Sequence, residues 1–182
     1  DELDGGAEIT WISDQDYHLV LHESHRCISD PSVQEKITIP VEEIKSPRTE
    51  FIEASVESVS TDDRTVHLAD DSTVEYDYLL VGIGSQTAFF GIDGLKKHAR
   101  TLKSLDDALA IHEDIAETAR EATPEDPGQV IIGGAGLTGI QIAGEAARYR
   151  DEHDASLDIY LVEGLDEIFP GNDPSVQNAL RK

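Results

Sequence analysis

The stretch that decides the fold is Ile131-Ile132-Gly133-Gly134-Ala135-Gly136-Leu137-Thr138-Gly139-Ile140-Gln141-Ile142-Ala143-Gly144-Glu145. A short apolar strand over residues 129–133 runs into three glycines, Gly134, Gly136 and Gly139, and a helix is predicted over residues 137–150. A second apolar strand over residues 157–162 ends at Glu163. Three glycines at this spacing are by themselves a weak signal. Between a strand and a helix, in a βαβ unit that closes on an acid, they have the full context of a dinucleotide-binding turn.

Each position has a physical job. Gly134 permits the tight strand-to-helix turn, and Gly136, lacking a Cβ, lets a pyrophosphate approach the backbone. Gly139 and Ala143 let the helix lie close to the sheet. The helix start at Leu137 and Thr138 offers unpaired N–H groups and a partial positive charge to phosphates. Glu163 stands 24 residues after Gly139. A carboxylate there accepts hydrogen bonds from both ribose hydroxyls and repels a 2′-phosphate, and Gly164, Leu165 and Asp166 bring no arginine. The expected cofactor is therefore NAD(H), not NADP(H). The bland alternative is a glycine-rich turn with no ligand.

Outward from this unit, strands alternate with helices and turns. Residues 104–122 read as a helix, with Ser104 as N-cap and Asp106 and Asp107 in the first turn. Its expected inner face is Leu105, Leu109, Ile111, His112, Ile115 and Ala119. Residues 174–181 begin a further helix. Toward the start, residues 7–13 read as a buried strand, and residues 33–44 as a short helix or strand. Residues 51–59 and 64–69 alternate as strands, followed by a short one over 73–76 and an apolar core strand over 78–83. The fold class is α/β: a Rossmann-like parallel βαβ unit plus a small antiparallel meander. Both ends read as cut, so the chain is expected to be an excised piece of a longer protein.

The 182 residues carry 38 acids against 14 bases, a net charge of −24. This argues against binding nucleic acid through its phosphates. The acids are spread along the chain and lysine is scarce, which fits a halophilic protein better than an ordinary acidic cytosolic one. No apolar run approaches about 18 residues, so no membrane-spanning helix is expected. Asp1, Glu2 and Asp4 stand where a secretory leader carries basic residues, so no leader is expected. Cys27 is the only cysteine, which excludes an intrachain disulfide and an all-cysteine metal site.

Several segments resemble one family. Tyr76-Asp77-Tyr78-Leu79-Leu80-Val81-Gly82-Ile83-Gly84-Ser85 is similar to a segment of two-dinucleotide flavoproteins, and residues 86–95 continue the likeness. Leu102-Lys103-Ser104-Leu105-Asp106-Asp107-Ala108 and Ile9-Thr10-Trp11-Ile12-Ser13-Asp14-Gln15-Asp16-Tyr17-His18-Leu19 match it too. With the glycine turn, they resemble type II NADH dehydrogenases, the NADH:quinone oxidoreductases of the FAD-dependent pyridine nucleotide-disulfide oxidoreductase superfamily. The resemblance implies a two-dinucleotide-binding-domain flavoprotein fold, incomplete at both ends. Residues 1–103 would be part of the FAD-binding domain, lacking its first βα unit, and residues 104–182 the N-terminal part of the NADH-binding domain.

The resemblance further implies FAD and NAD(H) as cofactors, and quinone or another acceptor as partner. Flavin contacts would come from Asp14, Val56, Gly82, Ile83 and Gly84. The family's acid at the end of the second flavin strand aligns with Ser13, next to Asp14. Its first helix glutamate, near the nicotinamide and flavin, aligns with Gln141, which hydrogen-bonds but is no acid or base at neutral pH. The piece alone would be inactive and hold no FAD. The parent would be cytoplasmic or peripheral on the inner face of the cell membrane, with any membrane contact made outside this chain. No oligomeric state follows.

Two other readings stay open beside it. One is a single-cysteine NADH oxidase, peroxidase or coenzyme A disulfide reductase acting through Cys27, although a plain packed cysteine fits the local sequence better. The other is a non-catalytic nucleotide-binding sensor module. His18, His22 and His25 fall at i, i+4 and i+7, one face of a helix if the segment is helical. No neighbouring acid or cysteine completes a metal site there.

Overall fold

In the computed structural model, residues 6–181 are described, and they group into two compact units that are not contiguous in sequence. One unit holds the residues up to Leu19 together with Thr38–Ser85. The other holds Val20–Ile37 and the chain from Gln86 onward. This division concerns packing and differs from the cofactor-based one at residue 103.

In the first unit, β1 (Ile9–Ser13) pairs in parallel with β4 (Thr49–Glu53), Trp11 lying opposite Phe51. Those two rings meet edge to face with centroids 6.0 Å apart, a favoured aromatic geometry. The strands β2 (Tyr17–Leu19) and β3 (Thr38–Pro40) form a short antiparallel pair. The meander is β5 (Val56–Ser60), β6 (Thr65–Leu68) and β7 (Thr73–Glu75). Its second turn is tied by Asp70, whose carboxylate accepts from the Ser72 amide and hydroxyl. Val66 and Leu68 are its buried side chains.

Three expectations about strands change here. The strand expected to be buried over residues 7–13 is β1, which begins at Ile9 and has no buried residue, Ile9 being 42% exposed. The alternation over residues 51–59 is divided between β4 and β5. Ala54 donates its N–H to the Ser13 carbonyl, while the Ser55 carbonyl accepts from Ala69. The two halves thus serve different partner strands, and alternation alone carries no information about where that change falls. The run over residues 78–83 is no strand. It is irregular chain with Tyr78 97% and Leu80 90% exposed. A parallel strand exists through its neighbours, and an apolar run does not supply them.

The second unit starts with 3-10 turns over Leu21–Ile28 and Pro31–Val33. Helix α1 (Gln34–Ile37) follows, and α2 (Val41–Ile44) belongs to the first unit. Residues 33–44 thus hold helix, strand and helix in succession. The second unit continues with α3 (Leu95–His98), α4 (Leu105–Glu121), β8 (Gly128–Gly133), α5 (Leu137–Glu152), β9 (Leu157–Val162) and α6 (Pro174–Leu180). Helix α4 opens as its sequence predicts. The Ser104 hydroxyl accepts from Asp107 N–H, and the Asp107 carboxylate accepts from Lys103 N–H, so two otherwise orphaned donors are satisfied. Its buried positions are Leu105, Ala108 and Ile115. Ala108 completes the i, i+3 spacing in place of the larger Leu109.

Strands β8 and β9 are parallel over six matched pairs, from Gly128 with Leu157 to Gly133 with Val162. Together with α5 they make the expected βαβ unit. The core here is Ile28, Ile115, Ala146, Tyr149 and Leu157, with Ile111, Val130, Ile142 and Ile159 packed against it. Ile28 comes from the early excursion and is fully buried. Its carbonyl lies 2.9 Å from His112 Nδ1 on α4. Residues 20–37 are therefore held by elements that follow them by about a hundred positions.

Candidate functional site

The glycine turn joins β8 to α5. Gly134 has φ +99°, a left-handed conformation that side chains rarely adopt, and donates its N–H to the Val162 carbonyl at 2.7 Å. A Cβ on Gly139 would lie 1.8 Å from the Gly134 carbonyl oxygen, so the first turn of α5 rests directly on the backbone of the glycine turn. A Cβ on Gly136 would meet nothing within 4 Å. The space in front of the turn is open there.

Gly136 caps α5 in extended conformation, and no acid lies in the first turn. Leu137 and Thr138 are exposed, and helix geometry leaves their N–H groups without intrahelical acceptors. The positive end of the helix thus faces open space with no competing carboxylate in its first turn. A helix start of this kind favours an anionic group.

Glu163 follows β9 and reaches the turn. One carboxylate oxygen accepts from Ala135 N–H at 2.7 Å, the other from Leu165 N–H at 3.0 Å. The Ala135 amide, then the Leu165 amide, hold this carboxyl below the ordinary glutamate value, because both bonds favour the charged form. Their contribution to stability is present at neutral pH and is lost as pH falls through the lowered value. Ala135 is 2% exposed, and its carbonyl accepts from Phe169 N–H at 2.8 Å. Gln177, buried on α6, donates its side-chain amide to the Phe169 carbonyl. The chain beyond β9 is thereby drawn onto the turn.

Gln141 lies half-buried on α5, one helical turn before Glu145. The Glu145 carboxylate accepts from the hydroxyl of buried Ser29 and lies 4.0 Å from Arg148. This clasp between α5 and the early excursion was not legible beforehand, because nothing near Ser29 points to a partner 116 positions away.

The flavin candidates lie in the first unit. Asp14 is exposed just after β1, and Val56 opens β5 at 43% exposure. The Ser13–Ala54 backbone bond brings these two corners to the same end of the β1–β4 sheet. Gly82, Ile83 and Gly84 are in exposed irregular chain, with Gly84 at φ +71°. Among the described residues the first unit has no glycine-rich turn of the kind seen at residues 134–139. It offers a flavin nucleotide one acid and stretches of backbone.

Cys27 is 0% exposed, and burial raises its thiol pKa. A protonated, enclosed thiol is a packed side chain rather than a nucleophile. His18 sits on β2, whereas His22 and His25 lie in the 3-10 segment, so the three share no helical face. No cluster able to hold a metal occurs among the described residues.

The family model described as pyridine nucleotide-disulphide oxidoreductase matches residues 5–182. The chain is similar to a type II NADH:quinone oxidoreductase of Staphylococcus aureus, 28% identical over 145 residues. That alignment covers 76% of this chain and 36% of the relative. Among solved structures, NDH2 from Plasmodium falciparum in complex with NADH superposes with TM-score 0.73 at 21% identity, covering 94% of this chain and 40% of that one. A ferredoxin reductase from Rhodopseudomonas palustris superposes with TM-score 0.77 at 17% identity, covering 99% and 42%. The chain thus spans well under half the length of these relatives. With a glycine turn of this geometry inside a family match that runs almost from end to end, the chain belongs to the pyridine nucleotide-disulphide oxidoreductase family.

Proposed function

We propose that the whole protein is an FAD-dependent NADH dehydrogenase that passes electrons to a quinone, and that this chain supplies the adenosine and pyrophosphate half of its NADH site. The observation that carries the reading is the turn at residues 134–139, open at Gly136, with the Glu163 carboxylate against it. The similarity to a protein named type II NADH:quinone oxidoreductase favours quinone as acceptor. NADH would supply the hydride and FAD would receive it.

This chain's residues bind and orient. The α5 N-terminus meets the pyrophosphate, Gly136 leaves room for it, and Glu163 takes the adenosine ribose hydroxyls. Gln141, one turn into α5, hydrogen-bonds on the nicotinamide side without moving a proton. Asp14, Val56 and the backbone at Gly82, Ile83 and Gly84 serve the flavin nucleotide in the same reading, which makes residues 1–103 flavin-side and 104–182 NADH-side. No helix of the described residues is long and apolar enough to cross a membrane. Contact with the inner face of the cell membrane is assigned to other parts of the protein. The enclosed Cys27 disfavours a cysteine-based reductase.

The deciding experiment measures NADH and NADPH dissociation constants in full-length protein at fixed salt. Wild type should prefer NADH. Glu163→Ala should weaken NADH by about tenfold or more, a modest coupling free energy by ordinary standards, and should narrow the gap to NADPH. Equal affinity of the wild type for both nucleotides would show that Glu163 does not select the cofactor. A full-length protein that binds flavin and nucleotide without NADH-driven bleaching would favour the sensor reading.

A further inference from the structure

The Glu163 carboxylate accepts from two backbone N–H groups, those of Ala135 and Leu165. We propose that Glu163 is a positioning residue for the phosphate-binding turn, stapling Ala135 and Leu165 to the end of β9, in addition to any contact with ribose. The proposal rests on the reading of this turn as a dinucleotide site and says how the turn keeps its shape.

The backbone groups account for themselves one by one. Gly134 N–H goes to the Val162 carbonyl, and Ala135 N–H goes to Glu163. Neither is free for a phosphate, so the anion-facing amides are those at the start of α5. The Ala135 carbonyl is taken by Phe169 N–H. Ala135 is 2% exposed with the carboxylate in place, so its amide depends on Glu163 rather than on water for a partner. Removing Glu163 therefore takes away the acceptor that fixes this amide, and the turn loses the bond that holds its shape.

The staple and the ribose contact are compatible. An ionised carboxylate has two oxygens and about four lone-pair sites. The Ala135 and Leu165 N–H groups bond one to each oxygen, so acceptor capacity remains for a ribose hydroxyl. Glutamine cannot do this, because its side chain presents one acceptor oxygen and an NH₂ that faces an N–H donor with nothing to accept. The acid is thus required by the turn itself.

The test uses full-length protein and a probe without ribose hydroxyls, the 2′,3′-dideoxyadenosine analogue of NADH. A residue that acts on ribose alone leaves analogue affinity unchanged when it is removed. A staple does not, and Glu163→Ala should weaken the analogue by about fivefold or more, in the range of ordinary site couplings. Residue-resolved hydrogen exchange on nucleotide-free protein gives a second reading. Ala135 N–H should exchange at least about tenfold faster in Glu163→Ala than in wild type.

Glu163→Gln, which keeps the side chain's size, should lose protection at one of the two amides, Ala135 or Leu165. An unchanged analogue affinity in Glu163→Ala, an unchanged Ala135 exchange rate, or full protection at both amides in Glu163→Gln overturns the proposal. A wild type that fails to bind NADH overturns the dinucleotide reading instead, and the exchange measurement still reports on the staple.

Discussion

Gly139→Ala should destabilise the protein and strip it of most of its NADH affinity, while Gly144→Ala on the same helix should do neither. The added Cβ at position 139 would lie 1.8 Å from the Gly134 oxygen and 3.0 Å from its carbonyl carbon. Both are backbone atoms, so no side chain can swing aside. Relief requires α5 to lift from the turn. Forcing extra volume into packed structure costs about 1–3 kcal/mol, occasionally more. Binding that needs α5 seated on the turn must restore strain of that size, which weakens it by roughly 5–150-fold.

At Gly144 a Cβ meets nothing within 4 Å. There alanine's better helix propensity should stabilise by about 0.5–1 kcal/mol. Thermal melts and NADH titrations of both variants decide the matter. Equal behaviour of the two would show that the contact between α5 and Gly134 does not hold the turn.

The second large effect expected is on salt. The melting midpoint should rise by about ten degrees or more between low salt and about 2 M KCl, each kcal/mol being worth roughly 2–4 °C at this size. Two effects compete. Salt weakens favourable ion pairs, and Arg26, Arg100, Arg120, Arg148, Arg150 and Arg181 each lie within 4.0 Å of a carboxylate. Apart from Arg148 with the largely covered Glu145, those pairs are exposed, and exposed pairs contribute little.

Salt also screens the mutual repulsion of a surface with 24 excess negative charges. At 1 M the screening length is about 3 Å, shorter than most distances between like charges on a surface. With the arginines mostly engaged and only six lysines in the chain, the remaining acids have few cations to meet. Repulsion is the larger effect, so screening wins. An equal or lower midpoint in high salt would sink this argument and the halophilic reading with it.

What the sequence shows and hides follows from how local each feature is. The βαβ unit was legible because its strands, turn and helix are each encoded by neighbouring residues. Ser104 and Asp107 announce the start of α4 for the same reason. The division of residues 51–59 into two strands was hidden, because it depends on Ser13 and Ala69 as partners. The run over residues 78–83 misled, since its composition is that of a buried strand and its surroundings are not.

At the site, the order of glycines gave the turn, and the strand end gave Glu163. That Glu163 bonds the turn's own amide was not visible. A motif lists residues, whereas the backbone N–H of Ala135 belongs to no residue type.

The fully buried Ile28 ties the second unit to the order in which the chain is made. Leu157, which shares its core, is synthesised 129 residues later. At about 5–20 residues per second, Ile28 leaves the ribosome roughly 6–26 seconds before Leu157 does. Until then the core that encloses Ile28 is incomplete, and its apolar side chain lacks part of its final cover.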